Sequence, residues 1–174
     1  MNVAKKAVFC IAKSEEQAIG IANTLKAQGF SNNDIAVLFP DRSGTRDFAH
    51  EQHTKAPEGA ATGAVAGGVL VGALGWLVGI GSLAIPGVGP LIAAGPIMAA
   101  LSGAAAGGAV GGLTGGLIGL GIPEYEAKRY EGAVKNGNIL ISVHTEDGKE
   151  RDAAKKIFEQ AHADDISYTG EARA

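Results

Sequence analysis

From Gly59 to Pro123 the chain carries no Asp, Glu, Lys or Arg, and 20 of its 27 glycines lie in that block. Within it, "GAAAGGAVGGLTGGLIGLG" (103–121) places Gly103, Gly107, Gly111, Gly115 and Gly119 at every fourth position, with Gly108, Gly112 and Gly116 as a second row. In water each interior glycine costs a helix about 1 kcal/mol relative to alanine. A bilayer reverses the balance. Unpaired backbone groups there cost several kcal/mol, so the chain is forced helical, and a groove without side chains lets another helix approach closely. The stretch 60–85, with Gly59 just ahead of it, repeats the device with Gly63, Gly67, Gly68, Gly72, Gly75 and Gly79. As a helix it would be roughly 39 Å long at 1.5 Å per residue, against a hydrocarbon core of about 30 Å. "IPGVGP" (85–90) then breaks the helix with Pro86, Gly87, Gly89 and Pro90.

The expectation for 59–122 is therefore an apolar glycine-zipper helical hairpin. It enters membrane lipid and drives homo-oligomerisation, the protein's partner being itself. The alternatives are a soluble homo-oligomer with the hairpins packed in its core and a disordered or aggregating insert. Two features fit a simple span less well: 99–112 is nearly all Ala, Gly and Ser, and Trp76 sits mid-segment.

The flanks are a different material. Residues 6–12, KAVFCIA, are rich in strand formers. Their apolar run ends at Lys13 without a small-residue cleavage site, so it reads as a strand and not as a signal peptide. Ser14 with Gln17 three positions on forms a capping box. Ala18, Ile21, Ala22 and Leu25 follow at helical spacing, and Gly29 suits the C′ position. DIAVLF (34–39) reads as a buried strand stopped by Pro40. After the insert, Pro123 opens a helix that Asn136-Gly137 ends, and 138–145 is a strand. Residues 148–162 form a helix with Ala153, Ala154, Ile157, Phe158 and Ala161 on one stripe, and 165–170 is a last strand. The order β-α-β, insert, α-β-α-β predicts an α/β (α+β sandwich) fold: one ferredoxin-like domain split by the insert, with a four-stranded sheet and helices on one face. The bounds are 1–47 and 123–174 for the two halves, 48–58 for a linker and 59–122 for the hairpin.

Chemistry is sparse. A net charge of −3 gives no basic face for nucleic acid. His50 and His53, in HEQH, are weak metal candidates: they lack the H-E-x-x-H signature and an evident third ligand. His144 and His162 are isolated. The single cysteine, Cys10, cannot form an internal disulfide, which points to a reducing compartment, and its place in a strand makes it a core thiol. The insert lacks the G-x-G-x-x-G and G-x-x-x-x-G-K-[ST] spacings of phosphate loops. Glu124, Glu126 and Glu131 with Lys128 and Arg129 read as dipole matching and a wet helix face. Tyr125 and Tyr130 read equally as anchors at a headgroup boundary and as packing residues. No catalytic residue, cofactor or small-molecule substrate is expected.

"FAHEQHTKAPEGAATGA" (48–64), "LAIPGVGPLIAAGPIMAAL" (83–101), "GLGIPEYEAKRYEGAVKNGNILISVH" (119–144) and "DDISYTGEA" (164–172) resemble bacterial general-stress or low-temperature-induced proteins with a glycine-zipper insert. The resemblance covers nearly the whole chain and is most specific where the chain leaves the insert. It implies stress association and a cytoplasmic α/β part, and supplies no catalytic residues. The expected protein is non-enzymatic and lies in the inner (cytoplasmic) membrane with both termini cytoplasmic; a soluble cytoplasmic assembly and a membrane-anchored small-ligand or metal sensor are the alternatives.

Overall fold

In the computed structural model, residues 6–40, 73–77, 81–85, 89–95 and 112–169 are described. They form β1 (Lys6–Ala12), α1 (Glu15–Ala27), β2 (Ile35–Pro40), β3 (Gly81–Ile85), β4 (Gly89–Ala94), α2 (Gly112–Gly119), α3 (Glu124–Lys135), β5 (Ile139–Thr145), α4 (Gly148–Gln160) and β6 (Asp164–Tyr168). The fold is mixed α/β, an antiparallel sheet with four helices.

Local chemistry explains the flanking elements. Ser14 Oγ accepts the Gln17 amide, satisfying an orphan donor of the first turn of α1, and Gln17 Oε1 accepts the Lys13 amide just before the cap. Gly29 lies at φ +95°, just past the C-cap Gln28, the left-handed position where a helix commonly ends on glycine. Asp147 caps α4 through the Glu150 amide. Of the apolar stripe expected on α4, Ala154, Ile157 and Phe158 are buried, whereas Ala153 is exposed.

The sheet order is β3-β4-β2-β5-β1-β6. The four flank strands lie together as β2-β5-β1-β6, with β5 antiparallel to both β1 and β2 and β6 antiparallel to β1. The two halves thus interleave: β5, from beyond the insert, lies between β1 and β2. The domain closes only when both halves are present.

Three expectations are corrected. First, 81–85 and 89–94 are strands and not helix: β3 pairs with β4, and β4 continues the sheet from β2 with Val37 opposite Ala94 and Pro40 opposite Leu91. The free edge of β2 offers a row of backbone donors and acceptors, and the insert satisfies them. The reversal expected at Pro86, Gly87, Gly89 and Pro90 thus joins two strands; Gly89 and Pro90 belong to β4, and Pro86 and Gly87 lie outside the described residues. Second, Gly75 lies in a turn at 74–76 that follows a helical residue at 73, so the helix expected over 60–85 does not run through it. Third, helices cover both faces of the sheet. Alternate residues of β1 and β5 point to opposite sides, and both sides are apolar, as expected for a strand buried twice. Val8, Cys10, Ile139, Ile141 and Val143 pack with α1 and α4. Phe9, Ile11 and Leu140 pack with α2 and α3.

Gly95 ends β4 at φ +84°, and a Cβ there would stand 2.3 Å from the Ile35 carbonyl oxygen. The strand that joins the insert to β2 therefore leaves the sheet through a residue that only glycine fits. No helix among the described residues is long and apolar enough to cross a membrane.

Candidate functional site: the docked insert

Among the described residues, the insert meets the core at three places. Leu74 and Leu77 are buried with the α1/α4 cluster, and the Lys26 ammonium lies 4.6 Å from the Trp76 ring centroid. The Trp76 indole N–H is closed from solvent without a hydrogen-bond partner among the described residues. β4 adds Leu91 and Ala93 to the opposite face. There α2 docks, with Leu113 and Leu117 fully buried.

Helix α2 has eight residues, GLTGGLIG. A helix this short is marginal in water even with good helix formers, and Gly115 and Gly116 cost it about 1 kcal/mol each. Burial of Leu113 and Leu117 contributes about 1.5–3 kcal/mol apiece, part of which goes to ordering the segment. Polar contacts add to this apolar docking. Glu131 of α3 supplies them. Its Oε2 accepts both the Thr114 amide (2.8 Å) and the Thr114 hydroxyl (2.6 Å), while Oε1 faces Lys135 Nζ at 2.9 Å. The Thr114 amide is one of the first-turn donors that a helix leaves unpaired. A carboxylate from a second helix therefore caps the first turn of α2. Burial pushes the Glu131 carboxyl up, but the hydrogen bonds from Lys135 and Thr114 outweigh it and hold the group below the usual carboxylate range.

The sequence reading placed Glu131 on a wet face. Its side chain is only 19% exposed. The signal was present: Ala127, Glu131 and Val134 share one helical stripe whose other members are buried, and Thr114 is the lone hydroxyl of the 103–121 run. Glu124 does fit the surface reading, in an exposed i,i+4 pair with Lys128 that lowers its pKa.

Of the zipper glycines, Gly112, Gly115, Gly116 and Gly119 lie in α2. Gly116 is buried, and Gly119 is exposed with open space around an added Cβ. Gly59, Gly63, Gly67, Gly68, Gly72, Gly79, Gly103, Gly107, Gly108 and Gly111 lie outside the described residues, as do His50 and His53. Gly75 and α2 sit at separate ends of the insert, on opposite faces of the sheet.

A second polar feature joins α3 to β6. A cleft of about 220 Å³ is lined by Glu126, Arg129, Tyr130, Asp165, Ile166 and Ser167. β6 is bulged opposite Cys10, and Asp165 stands at φ +50°. The bulge turns its carboxylate to Arg129 and its carbonyl to the Tyr130 hydroxyl, 2.6 Å away. Tyr130 is thus a packing residue; Tyr125 is exposed beneath Arg129. Burial pushes the Tyr130 hydroxyl up to about 12 against a hydrogen bond from Ser167. It is protonated at neutral pH and serves as a donor that fastens the bulge. Cys10 is buried, and desolvation pushes its thiol up, away from the thiolate a nucleophile needs. No group of three or more His, Cys, Asp or Glu able to hold a metal occurs among the described residues. No family model, curated protein or solved structure matches the chain.

Proposed function

We propose that this is a non-enzymatic, stress-associated assembly protein: a ferredoxin-like α/β core carries a charge-free, glycine-rich insert through which copies of the chain pack against one another. The observation that carries the reading is the segregation of the chain. The flanks hold every formal charge, and the insert holds 20 of 27 glycines, a composition suited to close helix approach and poorly suited to exposure in water. The interleaved order β2-β5-β1-β6 with crossover helices α1 and α4 supports the ferredoxin-like description. Stress association rests on the sequence resemblance.

Membrane lipid is the second surface that the insert suits, with both termini cytoplasmic at the inner membrane. The pairing of β4 with β2 and of β3 with β4 favours the form in which the insert packs inside an assembly. A bilayer-spanning form would require β3 and β4 to leave the sheet, because backbone in lipid must be paired within the span. Light scattering of the full chain, coupled to size exclusion, tests the assembly. The wild type is expected to be a homo-oligomer, and Gly103→Leu with Gly107→Leu is expected to shrink it. A wild-type monomer, or an unchanged oligomer in the double variant, overturns the proposal. Flotation with lipid vesicles separates the two forms: co-migration of the wild type with the vesicles assigns the membrane form.

A further inference from the structure

We propose that Glu131 is the latch of a releasable segment: its ionised carboxylate holds α2 folded on the sheet, and neutralising it frees 112–119 while the α1/α4 side of the protein stays intact. The argument is geometric. One carboxylate oxygen takes both Thr114 donors and the other takes Lys135, so both oxygens are engaged and the clamp bridges two helices. Helix α2 brings no titratable side chain of its own. Among the described residues its apolar hold on the core is Leu113 and Leu117, with Ile122 buried just beyond its end, set against a glycine-rich backbone. The opposite face has no such dependence, since α1 and α4 carry their own caps in Ser14 and Asp147. α2 is also the last element of the insert before the chain re-enters the core, so its release makes 112–119 available together with the rest of the insert. That consequence rests on the self-association reading; the latch itself does not.

Charge neutralisation is the natural trigger. The charged group in contact with Glu131 is Lys135 on its own helix, and from α2 the contacts are the Thr114 amide and hydroxyl. Because the folded carboxyl lies below its unfolded range, its contribution is fully present above the unfolded pKa and is lost as pH falls through the folded one.

Hydrogen exchange of the full chain, read by mass spectrometry and corrected for intrinsic rates, tests this. At neutral pH, Glu131→Gln is expected to speed exchange of the 112–119 amides roughly tenfold or more, the scale of losing charge-assisted bonds. Thr114→Val is expected to fall between, and 6–40 and 139–160 to remain as protected as in wild type. On acidification the wild-type 112–119 amides lose protection first, and in Glu131→Gln that pH dependence is gone. Unchanged protection of 112–119 in Glu131→Gln overturns the proposal, as does an equal loss across 139–145. Should Glu131→Gln not accumulate, Thr114→Val and the wild-type pH series carry the same reading, and unchanged 112–119 exchange in both overturns it.

Discussion

The two faces of the sheet are covered by helices made of different material. On one side α1 and α4 are each 13 residues long, carry their own N-caps and bury Ile21, Leu25, Ile157 and Phe158. On the other, α2 is eight residues of mostly glycine and leucine, and its first-turn donor is satisfied by a carboxylate that belongs to α3. The first pair is stabilised by information within each helix. The second borrows its stability, because a short glycine-rich helix loses more in conformational freedom than its own hydrogen bonds return. The same contrast separates the flanks, whose elements are self-specified, from the insert, whose strands and helix exist where the core offers an edge or a clamp.

The sharpest test compares core truncations by chemical denaturation of the full chain at fixed protein concentration. Phe158→Ala is expected to cost about 3–5 kcal/mol, since its ring is fully buried between α4 and the sheet. Leu117→Ala is expected to cost only about 2 kcal/mol, the low end for a buried leucine, because α2 detaches before the core unfolds. Equal costs at the two sites would make α2 part of one cooperative unit and end the comparison.

Gly95→Ala is next, at more than about 1 kcal/mol, because the new methyl meets the Ile35 carbonyl oxygen and the backbone is left-handed. The loss is expected to appear as faster hydrogen exchange in β4; wild-type exchange there would show that the insert's hairpin does not depend on this exit. Ser14→Ala and Asp147→Ala are each expected to lower stability by about 1 kcal/mol, measured as a shift of the urea midpoint at constant slope. No shift in either would remove the claim that the first face caps itself. The smallest change has the opposite sign. Gly119→Ala places a methyl in open space at a position without left-handed backbone and is expected to gain about 0.4–1 kcal/mol in α2, seen as slower exchange over 112–119.

The flank elements were legible in the chain itself. The strand at 6–12, the Ser14 cap, the Gly29 terminator and the stop at Asn136-Gly137 follow from side chains acting on their own neighbourhood, and the structure places them there. The second buried face was half legible. KAVFCIA and DIAVLF are continuous apolar runs, the pattern of strands covered twice, although a split domain with helices on one face was the expectation.

What only the tertiary structure decided lies in the insert. The run LIAAG (91–95) has no local reason to be strand and not helix. It becomes β4 because β2 presents unpaired backbone beside it, a partner far away in sequence. Glu131 reads as one more surface carboxylate until α2 is laid against α3 and Thr114 arrives at its oxygens. Caps, turns and periodicity are short-range interactions, so a sequence states them outright. An open sheet edge or a borrowed cap is a long-range vacancy, and what fills it depends on which distant segment can satisfy its hydrogen bonds at the lowest cost in chain entropy.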